Sequence, residues 1–414
     1  MNSDLTTSKL YVGQNIIIHI KDIAFGGNGV GIAENGQTVF VPYSAPGDKL
    51  RVKIRKVKKR FAEAVIDEIL EPAECRTTPK SENYGATPVS QYEHLTYATQ
   101  LEIKQKQLVD QLTRIGKLDI SKTQQLPIVE SPETYNYRNK IKLHPVRLTE
   151  DYLDYGFVGE DNNSIIGIRR SELVKESINK TLPKLNKMKW GKKNATRKKP
   201  LNCTIRSTTN GDAHAFFGKA PENYPWLVEQ INEFEVRVPL GSFFQVNIPV
   251  AEKMFKTVAN WVEATGAESA IDSYCGVGVF GLHLPAEMEV FTFDIDESAV
   301  RAAQVNTLNA GLVNRRFYCG SDKVIFNDII HDCNPSETVI IMDPPRTGCD
   351  QKALEKICKA DFKAIVMISC NPATMARDLS KIMESGKFKI DKIQAFDMFP
   401  QTSHFEAAAL ITKK

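Results

Sequence analysis

The spacing of apolar residues divides the first part of the chain into three regions with different predicted structure. Between about residues 10 and 70, short runs rich in β-branched residues alternate with glycine turns, as at Gly26-Gly27-Asn28-Gly29, which is typical of a small five-stranded barrel. Residues 93–116 repeat apolar side chains at a helical period. The region from about residue 125 to 230 mixes strand-like runs with loops. These patterns predict a barrel, a helix and an α+β region.

Strands and helices alternate from about residue 240 onward, which is the pattern of a mainly parallel, doubly wound sheet. The strands are predicted from apolar runs at 270–271, 290–293, 339–342 and 365–368. Such α/β sheets place their functional residues where the strands end. The chain therefore belongs to the α/β class in its C-terminal part, and its strand ends are where chemistry is expected.

Two strand ends carry reactive side chains. Asp343-Pro344-Pro345-Arg346 follows one apolar run, and Cys370 follows the run Ala364–Ile368 and precedes Asn-Pro. A cysteine at this edge is a candidate nucleophile, although a small packing residue is the competing interpretation. Glu406 begins the apolar run at 407–411, where a carboxylate commonly points outward and does no chemistry.

A glycine-rich loop, Asp272–Gly281, follows the first strand of the predicted sheet. Glycines allow close approach of a ligand, and a following helix offers free N–H groups to an anion. Asp294 ends the next strand and can accept hydrogen bonds from ribose hydroxyls. This pattern fits a nicotinamide cofactor and S-adenosylmethionine about equally, with a purely structural turn as a third interpretation. Cys275 in this loop is expected to be a packing residue.

Charge is clustered although the net charge of the 414-residue chain is only +4. Basic runs at Arg51–Arg60 and Lys184–Lys199 lie beside Phe61 and Trp190, which favours nucleic-acid binding as much as two solvated faces. The eight cysteines form no C-x-x-C pair, so a zinc ribbon is not indicated. No apolar stretch of about 18 residues or secretory signal is present, which predicts a cytoplasmic protein outside the membrane.

Three motifs together resemble the RNA uracil-5-methyltransferases, and the barrel resembles the TRAM domain of their large-subunit (23S) ribosomal RNA branch. The resemblance implies a Rossmann-like S-adenosylmethionine methyltransferase domain at 93–116 and 236–414. It also implies an OB-like TRAM barrel at 1–72 and an RNA-binding α+β middle domain at 73–92 and 117–235. No obligatory protein partner is implied. The motifs are Asp343-Pro-Pro-Arg, Ser369-Cys370-Asn-Pro-x-Thr-x-x-Arg377-Asp378-Leu379 and Asp397-Met-Phe-Pro-x-Thr-x-His404-x-Glu406.

The resemblance assigns a role to each site residue. Cys370 is implied to be the nucleophile that adds to carbon 6 of uracil, and Glu406 the base that removes the carbon 5 proton. Because a thiolate is needed, Cys370 is expected in an electropositive site, with Arg346 and Arg377 as candidates. The implied cofactor residues are Gln245, Tyr274, Asp294 and Asp343. The implied RNA contacts are Phe243, Arg346, Lys58, Lys59 and Arg60.

Three details of this assignment stay open. Gln245 is equally suited to read the uracil edge, and Phe243 is as well explained by core packing as by stacking on RNA. A target uridine held in a stack must also leave it before the reacting carbons are accessible. Val279 stands where some members of the family have an asparagine.

Many members of the family hold an iron–sulfur cluster with four cysteines, and this chain departs from that pattern. The corresponding positions are Ser81, Thr87, Ser90 and a fourth near Ser171. Hydroxyl groups are poor substitutes for the thiolates that hold such clusters, and Cys75 alone is insufficient. The sequence therefore predicts no cluster and no metal site.

Three alternatives to ribosomal RNA methylation remain at this stage. The same chemistry on the T-loop uridine of tRNA is one, although that branch usually lacks the barrel. A non-catalytic RNA-binding protein with a relict fold is the second, which predicts broken motifs, yet Cys370 and Glu406 are both present. A nicotinamide oxidoreductase is the third, suggested by the glycine loop alone.

Overall fold

The computed structural model describes residues 9–147, 152–185, 188–189 and 201–414. Residues 190–199 of the second basic run therefore lie outside the described part. The chain forms two compact units: the first contains residues up to Ile103 together with 158–166 and 399–403, and the second contains the rest. Among the helices described, none is both long and apolar enough to cross a membrane.

The first unit is built around a closed five-stranded barrel in the order β1-β2-β3-β5-β4. Strict alternation along β4 sends Leu50, Val52 and Ile54 into the barrel core and leaves basic residues between them outside. Lys58, Lys59 and Arg60 are exposed in the turn after β4. The predicted barrel is thus confirmed. Its strands are β1 (Asn15–Ile23), β2 (Gly29–Ile32), β3 (Thr38–Val41), β4 (Lys49–Val57) and β5 (Phe61–Glu71).

The segment 81–95 of the first unit is held by hydrogen bonds and aromatic packing. Ser81 Oγ donates to Glu93 Oε1 at 2.8 Å, and Thr87 and Ser90 are buried. Tyr43, Tyr84 and His94 pack together, with the two tyrosine ring centroids 5.1 Å apart. Within the described residues no group of three or more His, Cys, Asp or Glu side chains is arranged to hold a metal ion.

We expect purified protein to contain no stoichiometric iron, because Ser81, Thr87 and Ser90 offer hydroxyls instead of thiolates, and the Ser81 hydroxyl already donates to Glu93. The measurement is iron and acid-labile sulfide content after purification without oxygen. Reconstitution with ferrous iron and sulfide should add no charge-transfer absorbance. A result of about 4 iron atoms per chain would contradict the prediction.

Helix α1 (Tyr97–Asp110) continues into a single π-helical turn at Gln111–Ile115, which confirms the predicted helix. The middle of the chain forms a sheet in the order β10-β8-β7-β11-β12 and a separate β13–β14 hairpin. Its elements are β6 (Gln124–Gln125), β7 (Lys140–Arg147), β8 (Tyr152–Val158), β9 (Ile165–Gly167), α2 (Glu176–Leu185), β10 (Met188–Lys189), β11 (Cys203–Ser207), β12 (Ala213–Phe217), β13 (Leu227–Ile231) and β14 (Phe234–Val238).

The C-terminal part forms an eight-stranded sheet in the order β17-β16-β15-β18-β19-β21-β20-β6. The strands from β15 to β19 are parallel, and β15, β16, β18 and β19 are largely buried, as the apolar runs predicted, whereas the edge strand β17 is mostly accessible to solvent. The elements are α3 (Ile248–Ala264), β15 (Ser269–Ser273), α4 (Val279–His283), β16 (Glu289–Asp294), α5 (Glu297–Asn309), β17 (Arg315–Cys319), α6 (Asp322–Asp332), β18 (Thr338–Met342), α7 (Gln351–Lys359), β19 (Ala364–Ser369), α8 (Pro372–Glu384), β20 (Phe388–Phe396) and β21 (Glu406–Lys413).

Strand β21 runs antiparallel to β19, and this reversal decides where Glu406 lies. Ser369 at the end of β19 is paired with Ala407 near the start of β21. An antiparallel strand brings its first residues to the edge where its neighbour ends. Glu406 and Cys370 are therefore placed at the same edge of the sheet.

Candidate active site

Cys370 lies in a tight turn between β19 and α8. Ser369 Oγ donates to the carbonyl of Asn371 at 3.1 Å and accepts the Asn371 N–H. Asn371 then caps α8 by accepting the Ala373 N–H, and Pro372 occupies the first helical position. The Ser-Cys-Asn-Pro sequence thus builds its own turn, which leaves Cys370 partly exposed at the sheet edge.

The loop that carries Arg346 is attached to α8. Asn371 Nδ2 and Thr374 Oγ1 each donate to the Arg346 carbonyl at 3.4 Å, and Asp378 Oδ2 accepts the Cys349 N–H at 2.9 Å. Gly348 turns the loop with φ +82°, and a Cβ there would meet the Arg377 guanidinium at 2.3 Å. Arg377 donates to the Thr347 carbonyl of this loop at 3.1 Å, whereas Arg346 hydrogen-bonds the Cys370 thiol.

The charges around Cys370 differ from the sequence expectation. Burial, followed by the nearby Glu406, raises the pKa of the Cys370 thiol to about 11, whereas the Arg346 charge and its hydrogen bond to the thiol lower it. The predicted electropositive influence is thus present in Arg346 but is outweighed. In the free protein the thiol is protonated at neutral pH, because two acidic residues and little water surround it.

Replacing Arg346 by methionine should slow alkylation of Cys370, since it removes the positive charge that lowers the thiol pKa. In the wild type we expect the alkylation rate to rise about tenfold per pH unit below the thiol pKa. In Arg346→Met the rate at about pH 8 should fall by roughly tenfold. Mass spectrometry of iodoacetamide-labelled peptides gives both rates, with Cys370→Ala as the blank. An unchanged rate would exclude Arg346 as the activating charge.

Two carboxyl groups influence each other at this edge, with Glu406 buried and Asp343 partly buried. Glu406 is only 4 % exposed, and burial together with the Asp343 charge raises its pKa well above the usual value. Burial, and then the Asp294 charge, raises the pKa of Asp343 to about 7. The Arg346 charge lowers the pKa of Glu406, but burial and the Asp343 charge outweigh it. A cationic ligand in contact with Asp343 would offset its charge and favour the ionised form of Glu406.

A cleft opens beside Asp343 and is lined by four of the sequence-predicted residues. Phe243, Gln245, Tyr274 and Asp343 all line it, together with the backbone of the glycine loop. Its acidic end and apolar walls fit the positive sulfonium and the aromatic base of S-adenosylmethionine. The residues that line the cleft therefore fit this cofactor.

Tyr274 and Asp294 shape the glycine loop. Tyr274 has φ +61°, a conformation that costs a non-glycine residue about 1–3 kcal/mol, and its hydroxyl donates to Asp322 at 2.6 Å. Asp294 Oδ2 accepts the Gly276 N–H at 2.8 Å. Helix α4 has only five residues and its Gly281 N–H donates to Asp272. The loop thus leaves fewer free amides for an anion than the sequence predicted.

The structure also gives the burial and position of the remaining predicted residues. Phe243 is 66 % exposed, which excludes the core-packing interpretation, and its neighbour Phe244 is the buried one. Cys275 is buried as expected, and its pKa is raised well above the usual value by burial. Lys58, Lys59 and Arg60 belong to the first unit and are not among the residues that line this cleft.

Sequence reasoning missed a buried ion pair behind the C-terminal motif. Lys104 Nζ donates to Asp397 Oδ1 at 2.5 Å, and both side chains are inaccessible to solvent. A lysine in an amphipathic helix is normally read as part of the solvent-facing side, so no local signal marked Lys104. The position of Asp397 at the head of a motif was the available hint.

Comparisons with known proteins agree with this geometry. Residues 325–414 match the family model tRNA (Uracil-5-)-methyltransferase, and residues 9–66 match the TRAM domain. An uncharacterized RNA methyltransferase of Clostridium acetobutylicum is 30 % identical over 96 % of this chain and 96 % of its own length. The tRNA (uracil(54)-C(5))-methyltransferase of Schizosaccharomyces pombe is 30 % identical over 97 % of this chain and 78 % of its own length.

One solved structure shares the fold over nearly the whole chain. The tRNA (uracil-54, C5)-methyltransferase of Pyrococcus abyssi, in complex with S-adenosyl-L-homocysteine, has a TM-score of 0.70 and 23 % identity, and covers 95 % of this chain and 99 % of its own. The two relatives of 30 % identity establish the family. The chain belongs to the S-adenosylmethionine-dependent RNA uracil-5-methyltransferases and carries a TRAM domain.

Proposed function

We propose that the protein methylates carbon 5 of a specific uridine in 23S ribosomal RNA, in the cytoplasm, through a covalent adduct with Cys370. The observation that carries the proposal is the meeting of Cys370, Arg346 and Glu406 at one sheet edge beside the cleft. S-adenosylmethionine, held by Gln245, Tyr274, Asp294 and Asp343, supplies the methyl group.

The protein residues carry the rest of the chemistry. Arg346 favours the Cys370 thiolate, which adds to carbon 6 of uracil and moves electron density to carbon 5. After carbon 5 is methylated, Glu406 takes its proton and the bond from sulfur to carbon 6 breaks, which restores the ring and the thiolate. The raised pKa of Glu406 makes its ionised form a stronger base than an ordinary carboxylate.

RNA access is the part of the proposal that rests on Phe243. This ring stands exposed at the cleft mouth two residues before Gln245. An exposed aromatic ring beside a reactive cleft suits stacking on a base that has left its helix. Gln245 is buried in the same loop and suits either the uracil edge or the cofactor.

The choice of ribosomal RNA rests on the resemblance of the barrel at residues 9–66 to the TRAM domain of the ribosomal branch, and the two tRNA methyltransferases named above also span these residues, since they cover 97 % and 95 % of this chain. Methylation of the T-loop uridine of tRNA is the second candidate, because two relatives named above act on uracil 54 of tRNA. The exposed basic turn Lys58–Arg60 offers phosphate contacts to either RNA.

The test is to supply purified protein with radiolabelled S-adenosylmethionine and either 23S RNA or total tRNA from a strain that lacks the gene. We expect 5-methyluridine to form in 23S RNA, at a position that is unmodified in the deletion strain. Methylation of tRNA alone would replace the substrate while keeping the chemistry. A product other than 5-methyluridine would overturn the proposal.

A further inference from the structure

Two cationic side chains donate hydrogen bonds to the backbone of the loop that carries Phe243 and Gln245. Lys140 on β7 and Arg206 on β11 are direct partners in the strand register, so their side chains share one face of the sheet. Lys140 Nζ donates to the Ser242 carbonyl at 3.3 Å, and Arg206 Nη1 donates to the same carbonyl at 3.4 Å. One backbone oxygen therefore accepts hydrogen bonds from two positive groups.

The burial of the Arg206 side chain is energetically unfavourable. Its side chain is completely buried, yet its Nε and Nη2 atoms have no hydrogen-bond partner, and Nη2 lies 3.8 Å from Glu229 Oε1. The guanidinium also lies over the Phe244 ring, 5.2 Å from its centroid. A buried ion pair as a whole is commonly replaced by apolar side chains of similar volume without loss of stability. The arrangement therefore points to a role other than stability.

Lys140 adds a second unfavourable charge at the same place. Burial, followed by the charges of Arg206 and Arg138, lowers the pKa of Lys140 to about 8. Burial lowers the pKa of Arg206 to about 10. The two positive groups repel each other. They share one hydrogen-bond acceptor, the Ser242 carbonyl, which explains why both lie at this place.

The same loop is fixed on its other side as well. Ser242 Oγ donates to Asp296 Oδ2 at 3.0 Å, and the Asp296 N–H donates to Asp294 at the end of β16. Asn139 Nδ2 donates to the Gln245 carbonyl at 3.0 Å. The backbone on both sides of Phe243 is therefore restrained, although the Phe243 ring itself is exposed.

We infer that Arg206 and Lys140 are positioning residues for methyl transfer, because by holding the Ser242 carbonyl they set where Phe243 and Gln245 meet the target uridine. The inference rests on the proposed function, since it concerns the RNA side of the same site. Neither cation touches the reacting atoms: Arg206 acts through Ser242 and Phe244, and Lys140 through Ser242.

The test compares Arg206→Met, Arg206→Lys and Lys140→Met with the wild type. Because a small displacement of a positioned group lowers rates steeply, we expect Arg206→Met to lose about tenfold to a hundredfold in kcat/KM for RNA. Its dissociation constant for S-adenosylmethionine should not rise, and Arg206→Lys should recover part of the activity. Thr204→Val, two residues away on the same face of β11, is the matched control and should behave as wild type.

Hydrogen–deuterium exchange separates failure of this inference from failure of the proposed function. Peptides covering residues 239–247 should exchange faster in Arg206→Met than in the wild type or Thr204→Val, whatever reaction the enzyme performs. Full activity with unchanged exchange in Arg206→Met would overturn the inference. A loss of activity that is explained by a Tm below the assay temperature would also overturn it. A wild type that produces no 5-methyluridine would overturn the proposed function alone.

Discussion

Replacing Cys370 by alanine is expected to reduce methyl transfer to RNA by about four orders of magnitude or more, because removal of a nucleophile eliminates the covalent route. The cofactor cleft is lined by Gln245, Tyr274 and Asp343 and contains no atom of Cys370. S-adenosylmethionine should therefore bind the variant as it binds the wild type. Methyl incorporation under single-turnover conditions and calorimetric titration with the cofactor measure the two properties.

The matched control is Cys358→Ala, which removes a partly buried thiol from α7, where its sulfur lies 3.9 Å from the Lys381 carbonyl. This variant should methylate at the wild-type rate. Turnover by Cys370→Ala near that of the control would reject Cys370 as the nucleophile and leave its position at the sheet edge without a chemical role.

Replacing Glu406 by glutamine is expected to stop the reaction after the first methylation, with the RNA still bonded to Cys370. Without the carboxylate, the proton on carbon 5 has no acceptor, so the bond from sulfur to carbon 6 does not break. A protein–RNA adduct that survives denaturing electrophoresis, with one methyl group per adduct, is the expected product. Double replacement with Cys370→Ala should abolish the adduct.

Glu384→Gln is the control for this change, because Glu384 is an exposed carboxylate near the end of α8. It should turn over normally and give no adduct. Multiple turnover by Glu406→Gln without a trapped species would show that another group accepts the proton.

The same substitution has a pH-dependent effect on stability. Above pH 4.5, the ordinary pKa of a glutamate, the unfolded chain releases the Glu406 proton while the folded protein still holds it. The stability of the wild type therefore decreases as the pH rises above that value. Glutamine has no such loss. The Tm of Glu406→Gln relative to the wild type should therefore increase with pH, which also shows that loss of turnover is not loss of folding.

Much of the fold could be predicted from the sequence because its signals are local. Alternation such as Leu50, Val52 and Ile54 survives in any context that buries one face of a strand. The apolar runs of β16, β18 and β19 are long enough to predict burial on both faces. The catalytic loop was also readable, since Ser369 and Asn371 build the turn around Cys370 with their own hydrogen bonds.

The burial of two adjacent site residues could not be predicted from the sequence in the same way. Phe243 and Phe244 are adjacent and chemically identical, yet one is 66 % exposed and the other lies buried against Arg206. Their difference depends on the distant strand β11. Likewise, Lys104 had no local signal, because its partner Asp397 is 293 residues away along the chain.

By itself, the sequence determined that the chain contains a barrel, a parallel sheet and a cysteine and a carboxylate at strand ends. It also placed the motifs in the order that the family shares. The tertiary structure alone decided that Glu406 faces inward beside Cys370, because β21 reverses direction and brings its first residue to the edge where β19 ends. It alone also set the charges there: burial and neighbouring carboxylates dominate the thiol pKa, and such long-range electrostatics depend on distances that no local pattern records.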